Sequence, residues 1–163
     1  MNTDRQQIFS LLEQVPDPEV PVLSVIDLGI VRDVKIIGDE IEIIITPTYS
    51  GCPAMDVISM EIRMILLERG FKKVTVTSIL SPAWTTDWMS EAGKEKLRLY
   101  GIAPPNPVQT VCDIKLFAED EAVQCPHCKS YNTKLVSQFG STACKSLYKC
   151  NNCLEPFDYF KCH

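Results

Sequence analysis

Two Cys-x-x-Cys pairs lie near the C-terminal end of the sequence, one from Cys125 to Cys128 and one from Cys150 to Cys153. Each such turn can present two thiolates to one ion, and two turns together supply a tetrahedral shell of four sulfurs. A segment of about 40 residues is near the size below which a metal, disulfides or a partner is usually needed for folding. We therefore predict a C-terminal β zinc ribbon over residues 121–163, with these four cysteines holding a structural zinc.

Other ligand sets and other metals remain open from the sequence alone. Iron in a tetrahedral site of four sulfurs is the main rival to zinc, because the donor set alone does not choose between them. The remaining sulfurs of the tail and its last residue could replace a ligand or remain spectators. Disulfides are less expected than metal ligation in a reducing compartment. No role is assigned to Cys112, Cys144, Cys162 and His163.

Charge and hydropathy narrow the function class. The formal net charge is -5, and neither half of the chain is a basic block able to neutralise many phosphates, so nucleic acid is a weak partner hypothesis. The N-terminus shows no pattern of a secretory signal, and the longest apolar runs are far shorter than the roughly 20 residues that span a bilayer. We therefore expect a cytoplasmic location and no membrane partner.

The first 103 residues predict a small α+β domain with two layers and the order α-β-β-α-β-α. An amphipathic helix around Ile8 to Val15 precedes a β-hairpin with strands 30–37 and 40–46 about Gly38 and Asp39. A second helix after Pro53 should bury one apolar face, made of Val57, Ile58, Ile62, Ile65 and Leu66.

A strand over 73–79 and a helix over 86–100 complete this domain. The proline-rich segment that follows reads as a stiff extended linker, so we place the linker at 104–120 and the ribbon at 121–163. The ribbon itself is expected to hold three short strands. The predicted organisation is therefore two structural units stabilised by different means.

Cys52 lies between a predicted strand and a predicted helix, immediately before Pro53. At a helix start, unpaired N–H groups and the helix dipole lower a thiol pKa, which suits a nucleophile, a persulfide or a soft-metal ligand. A small buried hydrophobic residue is an equally good reading of the position. A cysteine protease is disfavoured because no histidine precedes His127. Asp17, Glu19 and Asp27 could form a carboxylate patch near this cysteine; alternatively, Asp17-Pro18-Glu19 is a solvated turn.

Four motifs occur in order along the first 100 residues. They span Asp17–Pro21, Ser24–Val31, Thr46–Pro53 with its final Gly-Cys-Pro, and Pro82–Ser90. In this order they resemble the signature of the iron-sulfur cluster assembly domain family, which includes SufT-like proteins. The resemblance implies that Cys52 corresponds to the family's reactive cysteine.

The same resemblance implies that Asp17 and Glu19 form the family's acidic turn, with a supporting role. Minimal family members lack the cysteine-rich tail. With segments 101–105, 139–145 and 155–162, the tail resembles the D components of bacterial phenylacetate-degradation systems, a branch of the family. These are encoded with a multicomponent phenylacetyl-CoA 1,2-epoxidase and are viewed as accessory proteins, not enzymes.

The resemblance implies a maturation role. The oxygenase partner of that system has a di-iron site, and the reductase partner has a flavin and a plant-type 2Fe-2S cluster. The expected partners are therefore the reductase or other epoxidase subunits and the general iron-sulfur assembly machinery. Because clusters normally use four protein thiolates, a transient cluster on Cys52 would need a homodimer with external thiols, or a client's cysteines.

Other functions remain as alternatives. The ribbon could serve a non-catalytic adaptor or an integral epoxidase subunit, with Cys52 merely packed. A dithiol redox enzyme is less expected, because thioredoxin-type motifs open a helix in a βαβ context that the tail does not offer. Trp84 and Trp88 are four residues apart and form either core or, if exposed, a partner surface.

Overall fold

The computed structural model describes residues 5–106 and 122–161. The chain divides into two compact units, which we describe separately: residues 1–84 with 88–93, and residues 85–87 with 94–163. The order of elements is α1 (Arg5–Leu12), β1 (Val31–Ile37), β2 (Glu40–Ile45), α2 (Ala54–Glu68), β3 (Lys73–Ser78), a 3-10 turn (Thr86–Trp88), α3 (Glu91–Tyr100), β4 (Ile102–Ala103), β5 (Thr133–Ser137), β6 (Lys145–Cys150) and β7 (Pro156–Phe160).

The first unit is built on a three-stranded sheet in the order β1-β2-β3. β1 and β2 form the expected antiparallel hairpin, and β3 runs parallel to β2 after the crossover through α2. In the central strand Ile41, Ile43 and Ile45 are buried, since every second side chain points to the core side of the sheet. The predicted α+β class is confirmed.

α2 buries one side against this core through Ala54, Ile58, Ile62 and Leu66, which recur every fourth residue. Val57, which we expected on the buried face, is 38% exposed, so that part of the prediction is wrong. Three further large apolar side chains of this helix are exposed: Met60, Met64 and Leu67. The helix is therefore apolar on two faces, of which only one is packed against the described residues.

The predicted helix over 86–100 begins later than expected. A 3-10 turn occupies Thr86–Trp88, and α3 begins at Glu91, because the Ser90 hydroxyl caps it by accepting the Gly93 N–H at 2.9 Å. Trp84 is buried, and its indole N–H donates to the Leu28 carbonyl at 2.8 Å. The Arg32 guanidinium lies 3.5 Å from the ring centroid of Trp88. The tryptophans therefore stabilise the fold and do not form an exposed pair.

The second unit contains a four-stranded sheet in the order β4-β7-β6-β5. The antiparallel strands β5, β6 and β7 are the three expected from the sequence. β4 was not expected: Ile102 and Ala103, which we read as leading into an extended linker, pair in parallel with Asp158 and Tyr159. Residues 107–120 of the predicted linker lie outside the described part of the chain.

A small core lies beneath this second sheet. Tyr148 stacks on Phe157 and meets Tyr159 edge to face, with ring centroids 5.9 and 5.6 Å apart. Two of the four paired cysteines, Cys125 and Cys150, belong to the same cluster of buried residues. Among the described residues, no helix has the length and apolar character needed to cross a membrane.

Candidate cluster and metal sites

Cys52 lies in the loop that joins β2 to α2, two residues before the helix begins. Its N–H donates to the Tyr49 carbonyl, and the Met55 N–H donates to the Cys52 carbonyl, both at 3.3 Å. The half-buried Sγ accepts hydrogen bonds from the Ala54 N–H and from the Tyr49 side chain. The loop thus holds the sulfur at the helix start with two donors directed at it.

Burial raises the pKa of the Cys52 thiol above its usual value, and the charges of Glu19 and Asp17 act in the same direction. The two hydrogen bonds oppose this rise without overcoming it. The lowered pKa that we predicted for a thiol at a helix start is therefore wrong for the free protein. The helix start contributes hydrogen-bond donors, but burial has the larger effect on the pKa of the thiol.

Hydrogen bonds to Asp17 hold the acidic turn in the loop before β1. The Oδ1 of Asp17 accepts the N–H groups of Glu19 and Val20 at 2.7 and 2.8 Å, and the Asp17 N–H donates to the Leu23 carbonyl at 2.8 Å. Because the charges of Asp17 and Glu19 affect the Cys52 thiol, the fold brings these three residues into one electrostatic environment. The Asp17 carboxylate thus stabilises the backbone of the turn through its hydrogen bonds.

Asp27 has a different function from the acidic turn. Its buried carboxylate accepts Ser24 N–H and Oγ at 3.1 Å each on Oδ2, and Ser90 Oγ at 3.0 Å on Oδ1. The Ser90 N–H also donates to the Asp27 carbonyl at 2.9 Å. Asp27 therefore ties the Ser24–Gly29 loop to the start of α3. The reading of Asp27 as part of a carboxylate patch at Cys52 is not supported.

Two residues of the segment that joins β2 to α2 were missed in the sequence. Tyr49 supplies a side-chain hydrogen bond to the sulfur. Thr46 is 1% exposed, and its Oγ1 is buried without a hydrogen-bond partner among the described residues. A hydroxyl in such a position costs stability, and the periodicity of β2 alone gives no sign of it.

In the second unit the four sulfurs of Cys125, Cys128, Cys150 and Cys153 lie within 4.8 Å of one another. The Cys125–Cys153 sulfurs are 3.7 Å apart and the Cys128–Cys150 sulfurs 3.5 Å. A tetrahedral zinc shell with Zn–S bonds of about 2.3 Å has sulfur–sulfur edges of about 3.8 Å. The four side chains therefore fit one tetrahedral ion.

Each Cys-x-x-Cys turn points backbone N–H groups at its first sulfur. Cys125 accepts from His127 and Cys128, and Cys150 accepts from Asn152 and Cys153. The hydrogen bond from the Cys153 N–H leads the causes that lower the pKa of Cys150 to about 6. Burial raises the pKa of Cys125. The N–H donors stabilise thiolates, as metal ligation requires.

When no ion is bound, the neighbouring sulfurs make it unfavourable for Cys153 to be a thiolate. The Glu155 N–H lowers its pKa, but burial and the neighbouring Cys150, Cys128 and Cys125 raise it to about 12. A cation among the sulfurs removes the reason for that rise, because a coordinating thiol is deprotonated outright.

The other candidate ligands of the tail are placed as follows. Cys144 is buried and its sulfur lies 3.0 Å from the Thr142 hydroxyl, outside the group of four sulfurs. The His127 ring packs close to Gly101, since a Cβ at that glycine would lie 3.3 Å from His127 Cε1. Cys112, Cys162 and His163 lie outside the described residues.

Both parts of the chain match known protein families. Residues 5–78 match the family described as iron-sulfur cluster assembly protein. Residues 110–161 match the family described as PaaD zinc beta ribbon domain. The two matches follow each other along one chain.

One relative covers nearly the whole sequence, and others cover about half of it. An Escherichia coli (strain K12) protein named as the putative D subunit of 1,2-phenylacetyl-CoA epoxidase is 52% identical over 156 residues, which is 96% of this chain and 92% of that protein. A Porphyromonas gingivalis protein named "Fe-S protein maturation auxiliary factor" is 36% identical over 88 residues, 53% of this chain and 83% of its own. A solved domain of unknown function, DUF59, from Bacillus anthracis is 27% identical, with a TM-score of 0.53 over 56% of this chain and 89% of that one.

Proposed function

This chain belongs to the family of phenylacetyl-CoA epoxidase D subunits, and from this membership we propose that it is an accessory maturation factor, not an enzyme, for the epoxidase of aerobic phenylacetate degradation. Its proposed task is to assemble an iron-sulfur cluster or deliver one to the reductase component, in the cytoplasm. The similarity of its first unit to proteins named as Fe-S maturation factors supports this role.

The observation that carries the proposal is the setting of Cys52. It is the only cysteine among the first 111 residues, and its half-buried sulfur receives two hydrogen bonds at the start of α2. One thiolate provides only a quarter of the usual protein ligation of a cluster. A cluster held this way is bound for transfer, with its other ligands coming from external thiols, a second copy of the chain or the client.

The raised pKa of Cys52 favours release of a cluster from this residue to a client. In the loaded state the thiolate is bonded to iron, and Ala54 N–H and Tyr49 stabilise its charge. In the exchange, a client thiol gives up its proton and bonds to iron, the bond from Cys52 to iron breaks, and Cys52 takes up a proton. No electron is transferred in this ligand exchange. Because burial favours the neutral thiol, release is easier than from an exposed cysteine.

For the ribbon we propose zinc, held by Cys125, Cys128, Cys150 and Cys153. Four protein sulfurs leave no open coordination position, so the ion would have a structural role. Iron is the rival occupant, and metal analysis decides between them. In either case the ion would stabilise the fold of the second unit and take no part in transfer.

The test is anaerobic reconstitution of the wild-type chain beside Cys52→Ser, with iron, sulfide, zinc and visible absorption measured on both. We expect Cys52→Ser to keep its zinc and to lose the labile iron and sulfide. Cys144→Ser is the matched control, since it removes a cysteine outside the group of four and should keep both. Equal iron, sulfide and absorption in wild type and Cys52→Ser would rule the carrier function out.

A second candidate function is an adaptor that docks the epoxidase through the ribbon. The favouring observation is a set of large apolar side chains exposed on this unit, namely Tyr131, Val136, Phe139 and Leu154, at 53–65%. An adaptor needs no cluster. Full maturation of the reductase in cells that carry Cys52→Ser, together with loss of maturation on replacing these exposed residues, would favour the adaptor.

A further inference from the structure

The second apolar face of α2 has a regular spacing. Pro53, Val57, Met60, Met64 and Leu67 are separated by four, three, four and three residues, which is the heptad pattern of positions that face a partner helix. Pro53 already has helical backbone angles, and it is exposed. We call these five residues the α2 stripe.

The side chains of the α2 stripe are about half exposed to solvent in the described structure. Val57, Met60, Met64 and Leu67 are 38%, 55%, 53% and 49% exposed. The packed residues Ala54, Ile58, Ile62 and Leu66 lie on the opposite side of the helix. Methionine is flexible and polarisable, so a surface rich in it adapts well to a partner's side chains.

The stripe is continuous with the proposed transfer site. Pro53 directly follows Cys52, and successive members lie about 5 Å apart along the helix axis at a rise of about 1.5 Å per residue. A helix bound along the stripe would therefore pass beside the Cys52 loop. This places the surface where a client must approach.

The charges beside the stripe argue against a second copy as the occupant. Glu61 and Glu68 flank it on one side, and Asp56 and Arg63 on the other. In an antiparallel pairing with itself, the side with Glu61 and Glu68 meets its own copy. In a parallel pairing, Asp56 meets Glu61 of the second copy and only Arg63 meets an opposite charge. In both arrangements half of the flanking pairs are like-charged and half are opposite, so a second copy gains nothing net from charge, whereas a partner with Lys or Arg opposite Glu61 and Glu68 gains from both.

The exposed area of the α2 stripe is also too small for a stable dimer. Four side chains at about half exposure offer roughly 300 Å² per chain, well below the roughly 800 Å² per partner of a stable interface. Surfaces of this size fit transient contacts, as a carrier that must leave its client requires. Within the described part of the chain, neither Glu61 nor Glu68 forms an ion pair.

We propose that the α2 stripe docks an amphipathic helix of a client protein, with Lys or Arg on the side that meets Glu61 and Glu68. The identity of the occupant as a client rests on the proposed function, whereas the surface and its charge preference stand on the geometry of α2. An anionic membrane is disfavoured as the occupant, because it would face the same two glutamates.

The test uses two synthetic helical peptides with one Leu and Met stripe in common, one with Lys on its flanks and the other with Glu. We expect the full chain to bind the Lys peptide at least about tenfold more tightly at low salt, as measured by fluorescence anisotropy. Salt should shrink this preference. Equal affinity for the two peptides, or no binding of either, would overturn the proposal.

Variants locate the contact. Met60→Gln with Met64→Gln keeps side-chain length and helix propensity and should weaken binding of the Lys peptide at least about tenfold. Ile37→Gln is the control, since Ile37 is 77% exposed on β1, and its binding should equal wild type. Far-UV circular dichroism checks folding. Unchanged binding by the Met60 and Met64 double variant would refute the stripe as the docking surface.

Two more measurements separate the outcomes. Cys52→Ser should bind the peptide like wild type, so loss of cluster in that variant bears on the proposed function and leaves docking intact. Sedimentation and vesicle binding test the other occupants. A wild-type dimer that becomes monomeric in the double variant, or binding to phosphatidylserine vesicles that the double variant abolishes, would contradict a client helix as the occupant.

Discussion

Lys129 and Leu154 have the same left-handed backbone conformation, each with φ of 66°, and each directly follows the second cysteine of a Cys-x-x-Cys turn. The repeat shows that both turns reverse the chain in one way. This conformation suits glycine, whereas side chains with a Cβ adopt it at a cost of about 1 kcal/mol or more. The backbone is therefore strained at both positions, and this strain accompanies the turns that bring the four sulfurs together.

Replacing Leu154 with Gly should stabilise the second unit by about 0.5–1 kcal/mol, because the strain is relieved and the Leu154 side chain is 65% exposed and loses little packing. Leu154→Val should destabilise it, since a β-branched residue tolerates positive φ poorly. Urea unfolding of the metal-loaded protein measures both. A Gly variant less stable than the Val variant would contradict the assigned strain.

Removing one ligand of the four-sulfur group should abolish the ribbon. Cys125 and Cys150 are buried, and a serine at either position leaves three sulfurs around the ion. We expect Cys125→Ser and Cys150→Ser to lose the bound metal and unfold the second unit, as seen by metal analysis and by limited proteolysis. Chelation of the wild-type metal should give the same cleavage pattern. Either variant with full metal content would be incompatible with the assigned ligands.

Asp27 should be a stability residue and not a transfer residue. Its replacement by Ala removes the acceptor of three hydrogen bonds from Ser24 and Ser90, and hydrogen bonds to a charged group are worth about 1.5–3 kcal/mol each, so we expect a loss of at least about 3 kcal/mol. The exposed Asp87→Ala is the control. Iron and sulfide bound per folded molecule should not change in Asp27→Ala. A stable Asp27→Ala variant that binds no cluster would reverse this assignment.

Thr46→Val should be neutral or stabilising by about 1 kcal/mol, because it replaces a buried hydroxyl without a described partner by a methyl group of similar size. Thr46→Ser, which keeps the hydroxyl and removes the methyl, should be less stable than wild type. Thermal unfolding orders the three proteins. If Thr46→Val is clearly destabilised, the hydroxyl has a partner that stabilises the loop.

The Thr77 hydroxyl leads the causes that lower the pKa of Glu42, followed by Lys35. Since the folded-state pKa lies below the unfolded one, the stability that this carboxylate contributes is complete above the unfolded pKa of about 4.3 and is lost as pH falls through the lower folded value. Thr77→Val should move the Glu42 pKa upward, as measured by NMR titration. Lys73→Gln is the control, because Lys73 pairs with Glu40 and not with Glu42. No shift on Thr77→Val would show that the 2.8 Å hydrogen bond does not persist in solution.

Local signals in the sequence predict much of the fold. The glycine turn at Gly38 marks the hairpin, and two Cys-x-x-Cys turns bring four sulfurs together at the predicted positions. The family resemblance is confirmed over both parts of the chain. These features are encoded within a few residues or in repeated spacing, so no knowledge of distant packing is needed to find them.

What the sequence did not reveal depends on contacts far along the chain. The pKa of Cys52 is raised by burial, which outweighs the hydrogen bonds at the helix start. The first turn of the predicted last helix is replaced because Ser90 caps α3 and bonds to Asp27, 63 residues earlier. Gly29 shows the same dependence, since its φ is +67° and a Cβ there would lie 2.0 Å from the Trp88 carbonyl oxygen.

The short strand β4 sets a limit on how the metal-binding unit can be moved between proteins. Ile102 and Ala103 are 6% and 1% exposed and pair with β7, although about 20 residues separate them from Cys125, the first of the four clustered cysteines. A fragment cut anywhere from 104 to 120 would leave the outer edge of β7 without its neighbour and open to other strands. A graft of the ribbon onto another carrier therefore has to begin before Ile102, on the far side of the proline-rich segment.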